Sequence, residues 1–137
     1  MNQTIALIKP RAFSENLSIP ILYELHKAGF TVRSIKTLRL NKLQAEKFYA
    51  VHNERPFFQE LVQFMISGPI MAVLLEKDHA IEDLRALLGD TDSQHAKEGT
   101  IRNKFGLNKQ QNAVHGSDSP ENAEKEIRFF FSELEVI

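Results

Sequence analysis

The chain has 137 residues, 42% hydrophobic and 26% charged, which fits one ordinary globular domain of roughly 100–200 residues. Seventeen Lys and Arg against eighteen Asp and Glu leave a net charge of -1, which argues against a protein whose main work is neutralising a nucleic-acid backbone. The absence of cysteine excludes disulfides and thiolate metal sites, no apolar run approaches the ~20 residues of a membrane span, and MNQTIALIKP does not read as a signal peptide; a single soluble, cytoplasmic domain over residues 1–137 is the expectation.

Thr4–Ile8 is a short, partly β-branched apolar run stopped by Lys9-Pro10, and reads as a strand ending at a polar site. Ser18-Ile19-Pro20 opens a helix with Ser18 as N-cap; Ile21, Leu22, Leu25 and Ala28 keep the helical period and Gly29 stops it. Phe30–Leu40 is rich in strand formers, and its alternation breaks near Ser34-Ile35, marking a bulge or bend. Lys42–Tyr49 and Phe57–Met65 are predicted helices, the second with apolar residues repeating at helical spacing. Ser67-Gly68-Pro69 turns the chain into Ile70–Leu75, a continuous apolar run of the length of a buried strand.

Asp78 is placed to cap a helix whose Ala80, Ile81, Leu84, Leu87 and Leu88 form one stripe, ended by Gly89. Residues 90–112 are polar and irregular, long enough for a functional loop. Ala113-Val114-His115 is a brief strand, and Ser119-Pro120-Glu121 begins a final helix with Ala123, Ile127, Phe130 and Phe131 on one face. This order predicts an α/β (α+β) fold of the ferredoxin-like βαββαβ type. It consists of a four-stranded antiparallel sheet with helices on one face and additional helices between the second and third strands.

The six glycines, at 29, 68, 89, 99, 106 and 116, allow neither the Rossmann nor the Walker phosphate loop. No two of His26, His52, His79, His95 and His115 are closely spaced, so a dedicated metal site built by the protein is not expected. One segment stands apart: Asn112-Ala113-Val114-His115-Gly116-Ser117-Asp118-Ser119-Pro120. It places a histidine at the end of a buried element, then a small polar turn, then a capped helix in which Glu126 can return toward the imidazole. A neutral imidazole is a competent nucleophile near pH 7, and a carboxylate or hydroxyl partner fixes its tautomer. Spacing alone leaves a plainer reading open and ahead, because capping by Ser119-Pro120 explains most of the segment.

The stretch NAVHGSDS resembles the N-x-x-H-G-S-D-S signature of nucleoside diphosphate kinases. The likeness runs along essentially the whole chain: I-K-P at Ile8–Pro10, R-P-F-F at Arg55–Phe58, S-G-P at Ser67–Pro69, L-G-x-T at Leu88–Thr91, G-T-I-R at Gly99–Arg102 and A-E-K-E-I at Ala123–Ile127. The resemblance implies ping-pong transfer of a γ-phosphoryl group from a nucleoside triphosphate such as ATP to His115, and from there to a nucleoside diphosphate. Arg85, Thr91 and Arg102 match the family's phosphate contacts; guanidinium forks suit phosphate oxygens and the threonine hydroxyl adds a donor. Lys9 and Asn112 match the residues that read the ribose hydroxyls and orient the phosphates, Tyr49 the phenol that positions the lysine, and Ser117 with Glu126 the pair that orients the histidine. Phe57 matches the aromatic on which the base stacks, and Leu61 the apolar side of the base slot. Mg²⁺ is expected to arrive on the phosphates rather than in a protein cage.

Without the resemblance each residue has a simpler account: Arg85 as a solvent-facing helix residue, Lys9 and Arg102 as loop charges, Phe57 and Leu61 as core, Asn112 and Thr91 as turn and cap residues. Asp118 is explained by turn geometry. Two departures from the family bear on the base slot: Gln110-Gln111 replaces a common Gly-Arg pair, and Lys109 stands where a small apolar residue is usual. The segment SELEVI after Phe131 is shorter than the tail of many eukaryotic members. A homo-oligomer is implied, with a hexamer preferred and a tetramer open, and neither a stable nucleic-acid partner nor a membrane. The alternative is a non-catalytic nucleotide-binding regulatory module on the same fold, which would be expected to lack some of these side chains.

Overall fold

The computed structural model describes residues 2–136. Four strands, β1 (Gln3–Ile8), β2 (Thr31–Leu38), β3 (Ile70–Glu76) and β4 (Val114–Gly116), form one antiparallel sheet in the order β2-β3-β1-β4. The helices are α1 (Pro10–Ser14), α2 (Ser18–Lys27), α3 (Lys42–Phe48), α4 (Phe58–Met65), α5 (Ala80–Leu88), α6 (Ile101–Phe105) and α7 (Pro120–Phe130). The expected four-stranded antiparallel architecture with extra helices between β2 and β3 is therefore observed.

The helices cover both faces of the sheet, not the one expected. In β1, Ile5 and Leu7 point into a core with Ala45, Leu61, Val62, Met65 and Ile127, from α3, α4 and α7. Their neighbours Ala6 and Ile8 point the other way, onto Ile21, Leu25, Leu84, Leu88 and Ile101 from α2, α5 and α6. A strand covered on both sides needs apolar residues at every position, which is why β1 and β3 read as unbroken apolar runs. Each fully buried Leu or Ile there contributes roughly 1.5–3 kcal/mol of transfer free energy.

Several boundaries moved for local reasons. The short helix α1 has no counterpart in the sequence reading, and α6 falls within the stretch expected to be irregular, since five residues offer too few positions to display a helical period. Ser18 is the first residue of α2 rather than its cap; Leu17 takes that place, with its N–H bound to the Ala12 carbonyl at 3.0 Å. Asp78 does not cap α5: the chain turns through His79 at φ 56°, and Glu82 and Asp83 supply the negative charge in the first turn. The irregularity in β2 is a register shift between Val32 and Ser34, one or two residues before the predicted break. Asn41 and Ser119 cap α3 and α7 through side-chain bonds to Gln44 N and Asn122 N. No helix among the described residues is long and apolar enough to cross a membrane.

Candidate active site

The site forms at the junction of β1 and β4. Antiparallel pairing sets His115 opposite Leu7, and the pairing continues past the strand end where Lys9 N–H donates to the Ala113 carbonyl at 2.9 Å. Gly116 follows because α5 lies directly over it: an added Cβ would meet Leu88 Cδ1 at 2.8 Å. Helix α7 then returns along the sheet and brings Glu126 back to the histidine. Glu126 Oε1 lies 2.8 Å from His115 Nε2 and also accepts from Ser117 Oγ at 2.6 Å. A carboxylate in that position accepts, so Nε2 carries the imidazole proton and Nδ1 presents its lone pair.

The aromatic rings of Phe48 and Tyr49 stand edge-on to the imidazole, with centroids 5.4 Å and 6.3 Å away. Burial, and after it the charge of Glu126, hold the Tyr49 phenol well above its usual pKa, so it stays a proton donor. Its oxygen is buried and has no partner among the described residues, and the same holds for Asn112 Oδ1. The expected support of Lys9 by Tyr49 is not seen as a bond. Lys9 Nζ instead donates to the Gln110 carbonyl at 3.2 Å.

Lys9 is buried, and its pKa is lowered from 10.5 to about 7, first by burial and then by the positive charge of Arg102. Arg102 is lowered to about 10 by burial and by Arg85. Three cations thus converge on one region and raise one another's cost of carrying charge, an arrangement that a polyanion relieves. Arg102 gives Nη1 to the Gly89 carbonyl at 2.9 Å and Nη2 and Nε to the Val114 carbonyl at 2.9 and 3.3 Å. Of the five N–H donors on its guanidinium, two remain for a ligand. An open cleft of about 250 Å³ beside it is lined by Arg85, Gly89, Asp90, Thr91 and Arg102. Asn112 ties the histidine segment to this cleft by donating to the Thr91 carbonyl at 2.9 Å.

A family model described as nucleoside diphosphate kinase matches residues 2–136. The chain belongs to the nucleoside diphosphate kinase family. Among its curated relatives, the nucleoside diphosphate kinase of Geobacter sp. (strain M21) is 48% identical over 137 residues, covering all of both chains. That of Lawsonia intracellularis is 50% identical over 137 residues, covering 100% of this chain and 99% of its own. The crystal structure of the Aquifex aeolicus nucleoside diphosphate kinase superposes with a TM-score of 0.96 at 44% identity, covering 99% of each chain. The Halobacterium salinarum enzyme, solved in complex with CDP, gives a TM-score of 0.95 at 34% identity, covering 100% of this chain and 92% of its own.

Within this kinase fold, His115, Glu126, Ser117, Lys9, Tyr49, Asn112, Thr91, Arg85 and Arg102 fall into one connected region. Phe57 and Leu61, the expected base slot, differ from each other. Phe57, just before α4, is 42% exposed and packs on the His52 ring at 5.6 Å, whereas Leu61 is 8% exposed and part of the core. Lys109 is exposed. Sequence reading missed two participants: the Phe48 ring against the imidazole and the Gln110 carbonyl on Lys9; Asp118 is held locally, accepting from Asn122 Nδ2 at 2.6 Å. Neither participant carried a signal in the sequence, and a backbone carbonyl has none to carry.

Proposed function

We propose that the protein is a nucleoside diphosphate kinase that works through a phosphohistidine on His115. The observation that supports this most is the imidazole bound through Nε2 to Glu126, leaving Nδ1 as the nucleophile beside a cluster of cations. Nδ1 attacks the γ-phosphorus; the N–P bond forms as the bridging P–O bond breaks, and the nucleoside diphosphate departs with that electron pair on oxygen. A second diphosphate reverses the step. Charge on the transferring group spreads over its equatorial oxygens, so the protein's work is positioning and electrostatic stabilisation by Arg85, Arg102, Thr91 and Lys9.

The buried, unpartnered oxygens of Tyr49 and Asn112 each cost about 1–3 kcal/mol until matched, and ribose hydroxyls and phosphates supply the matching groups. No group of three or more His, Cys, Asp or Glu among the described residues could hold a metal. Mg²⁺ would be carried by the nucleotide phosphates, where it would offset their charge, and Asp90 is the carboxylate that lines the cleft beside Arg85 and Arg102. A non-catalytic module is disfavoured because histidine, carboxylate, lysine and both arginines are all present.

Protein treated with γ-labelled ATP and Mg²⁺ should carry an acid-labile label, and after removal of the donor should pass it to an added nucleoside diphosphate. Transfer that occurs only when both nucleotides are bound together would end this reading. For the base, exposed Phe57 is the stacking platform. Stacking is worth ~1–3 kcal/mol by alanine substitution in single-strand binders, so Phe57→Ala should raise KM about 5- to 150-fold for purine and pyrimidine substrates alike. A rise confined to one base contradicts a shared platform.

We place the protein in the cytoplasm as a homo-oligomer, hexameric in preference to tetrameric. Strand β2 is an edge of the sheet and exposes Val32 and Ile35, while α2 exposes Ile19 and Tyr23. A second copy pairing there would cover both the apolar side chains and the open strand edge. Light scattering should find Ile35→Lys in smaller particles than the parent; an unchanged mass puts the contact elsewhere.

A further inference from the structure

Three of the described residues have a left-handed backbone without being glycine, and one of them, Ala113 at φ 76°, lies two residues before the nucleophile. Its neighbours close around it by a single bond, Val114 N–H to the Asn112 carbonyl at 3.0 Å, which makes a three-residue γ-turn of the rare strained kind. Nothing in the local sequence asks for it: alanine gains no side-chain bond from φ > 0, and its methyl is the reason the conformation costs energy. Strain of this sort persists only where surrounding structure over-determines it.

Here the surroundings do so. The Ala113 carbonyl accepts from Lys9 N at 2.9 Å, and the Val114 carbonyl accepts from Arg102 Nη2 at 2.9 Å. The Asn112 amide donates to the Thr91 carbonyl at 2.9 Å, and the Gln110 carbonyl receives Lys9 Nζ at 3.2 Å. Asn112 and Ala113 are buried, at 2% and 1% exposure. The turn is thus bonded to the end of β1, to the cleft wall at Thr91 and to the helix carrying Arg102, and His115 follows it directly.

We propose that the strained turn at Ala113 is a positioning device for phosphoryl transfer, holding Asn112 and His115 at a fixed separation against Lys9, Thr91 and Arg102. Ala113 is then a positioning residue, acting through its backbone and touching no reacting atom. The inference rests on the kinase reading of this site. A three-residue turn closed by one bond leaves the chain fewer ways to shift than a wider turn would, and misplacement by even 1 Å can cost on the order of 100-fold in rate. Glycine accepts φ > 0 without strain but also accepts many other conformations, so it loosens the same turn.

The test compares Ala113→Gly with Ala113→Ser by single-turnover formation of phosphoenzyme at saturating ATP and Mg²⁺, with thermal unfolding measured alongside. Stability loss alone does not move the saturating rate. The glycine variant should react about tenfold more slowly with its unfolding temperature held, while serine, an L-residue that keeps the strained backbone, stays within about twofold of the parent. A glycine variant as fast as the parent, or unfolded, overturns the proposal. So does a serine variant as slow as glycine, which would trace the effect to packing of the methyl. A parent protein that forms no phosphoenzyme fails in a different way: it removes the kinase reading, and this inference with it.

Discussion

His115→Ala is expected to take up no label from γ-labelled ATP and to lose turnover by a factor on the order of 10³ or more, because a covalent mechanism without its nucleophile retains only binding and electrostatic stabilisation. A hydroxyl stands beside the histidine: Ser117 Oγ donates to Glu126 at 2.6 Å and is fully buried. A P–N bond is lost in acid and a serine ester is not, so acid treatment of the labelled parent separates the two. The fold should survive the substitution, since the histidine side chain is 22% exposed and its one bond runs to a carboxylate that keeps Ser117. Label persisting on the alanine variant would move the nucleophile elsewhere.

Lys9→Met is expected to lower kcat/KM about 100-fold and to stabilise the unliganded protein. The first effect follows from charge-assisted bonds to phosphate, worth about 1.5–3 kcal/mol each. The second follows from the lysine's pKa, lowered from 10.5 to about 7 by burial and by Arg102. Between those values the unfolded chain binds a proton that the folded chain does not, so this group makes stability rise with pH from about 7 toward 10.5. Methionine removes the buried charge, so the variant should melt higher at neutral pH and show a flatter pH dependence across that window. Nucleotide phosphates favour the charged amine, so binding above the lowered pKa takes up a proton. Calorimetry at pH ~8 in buffers of different ionisation enthalpy should register that uptake in the parent and not in the variant. Equal heats in all buffers for the parent would show that Lys9 keeps its charge without ligand.

Legibility of the fold followed the length of each signal. The stripe of α5, the capped start of α7 and the apolar runs of β1 and β3 were all visible, because burial of one face or of both leaves a period or its absence in the residues themselves. The five-residue helices were not visible, and neither was the placement of helices on both sides of the sheet, although the unbroken apolar runs carried that information. The site divided in the same way. His115 between apolar residues and a capped helix could be picked out as chemistry-bearing. Arg85, Thr91, Arg102 and Lys9, scattered over the chain, became a site only through resemblance to a family.

The amino-acid order by itself determined the kinds of element, the family, and which side chains bring a nucleophile, cations and hydroxyls. Tertiary structure alone decided how they are used. Lys9 meets the Gln110 carbonyl across 101 positions because β1 and β4 are neighbours in the sheet; Arg102 is spent partly on backbone carbonyls; Leu61 turns inward while Phe57 faces solvent; and Ala113 is forced into a left-handed turn. The reason is that a side chain's type is local, whereas its partner, its burial and the direction of its free atom depend on strand register and on which helices pack above it.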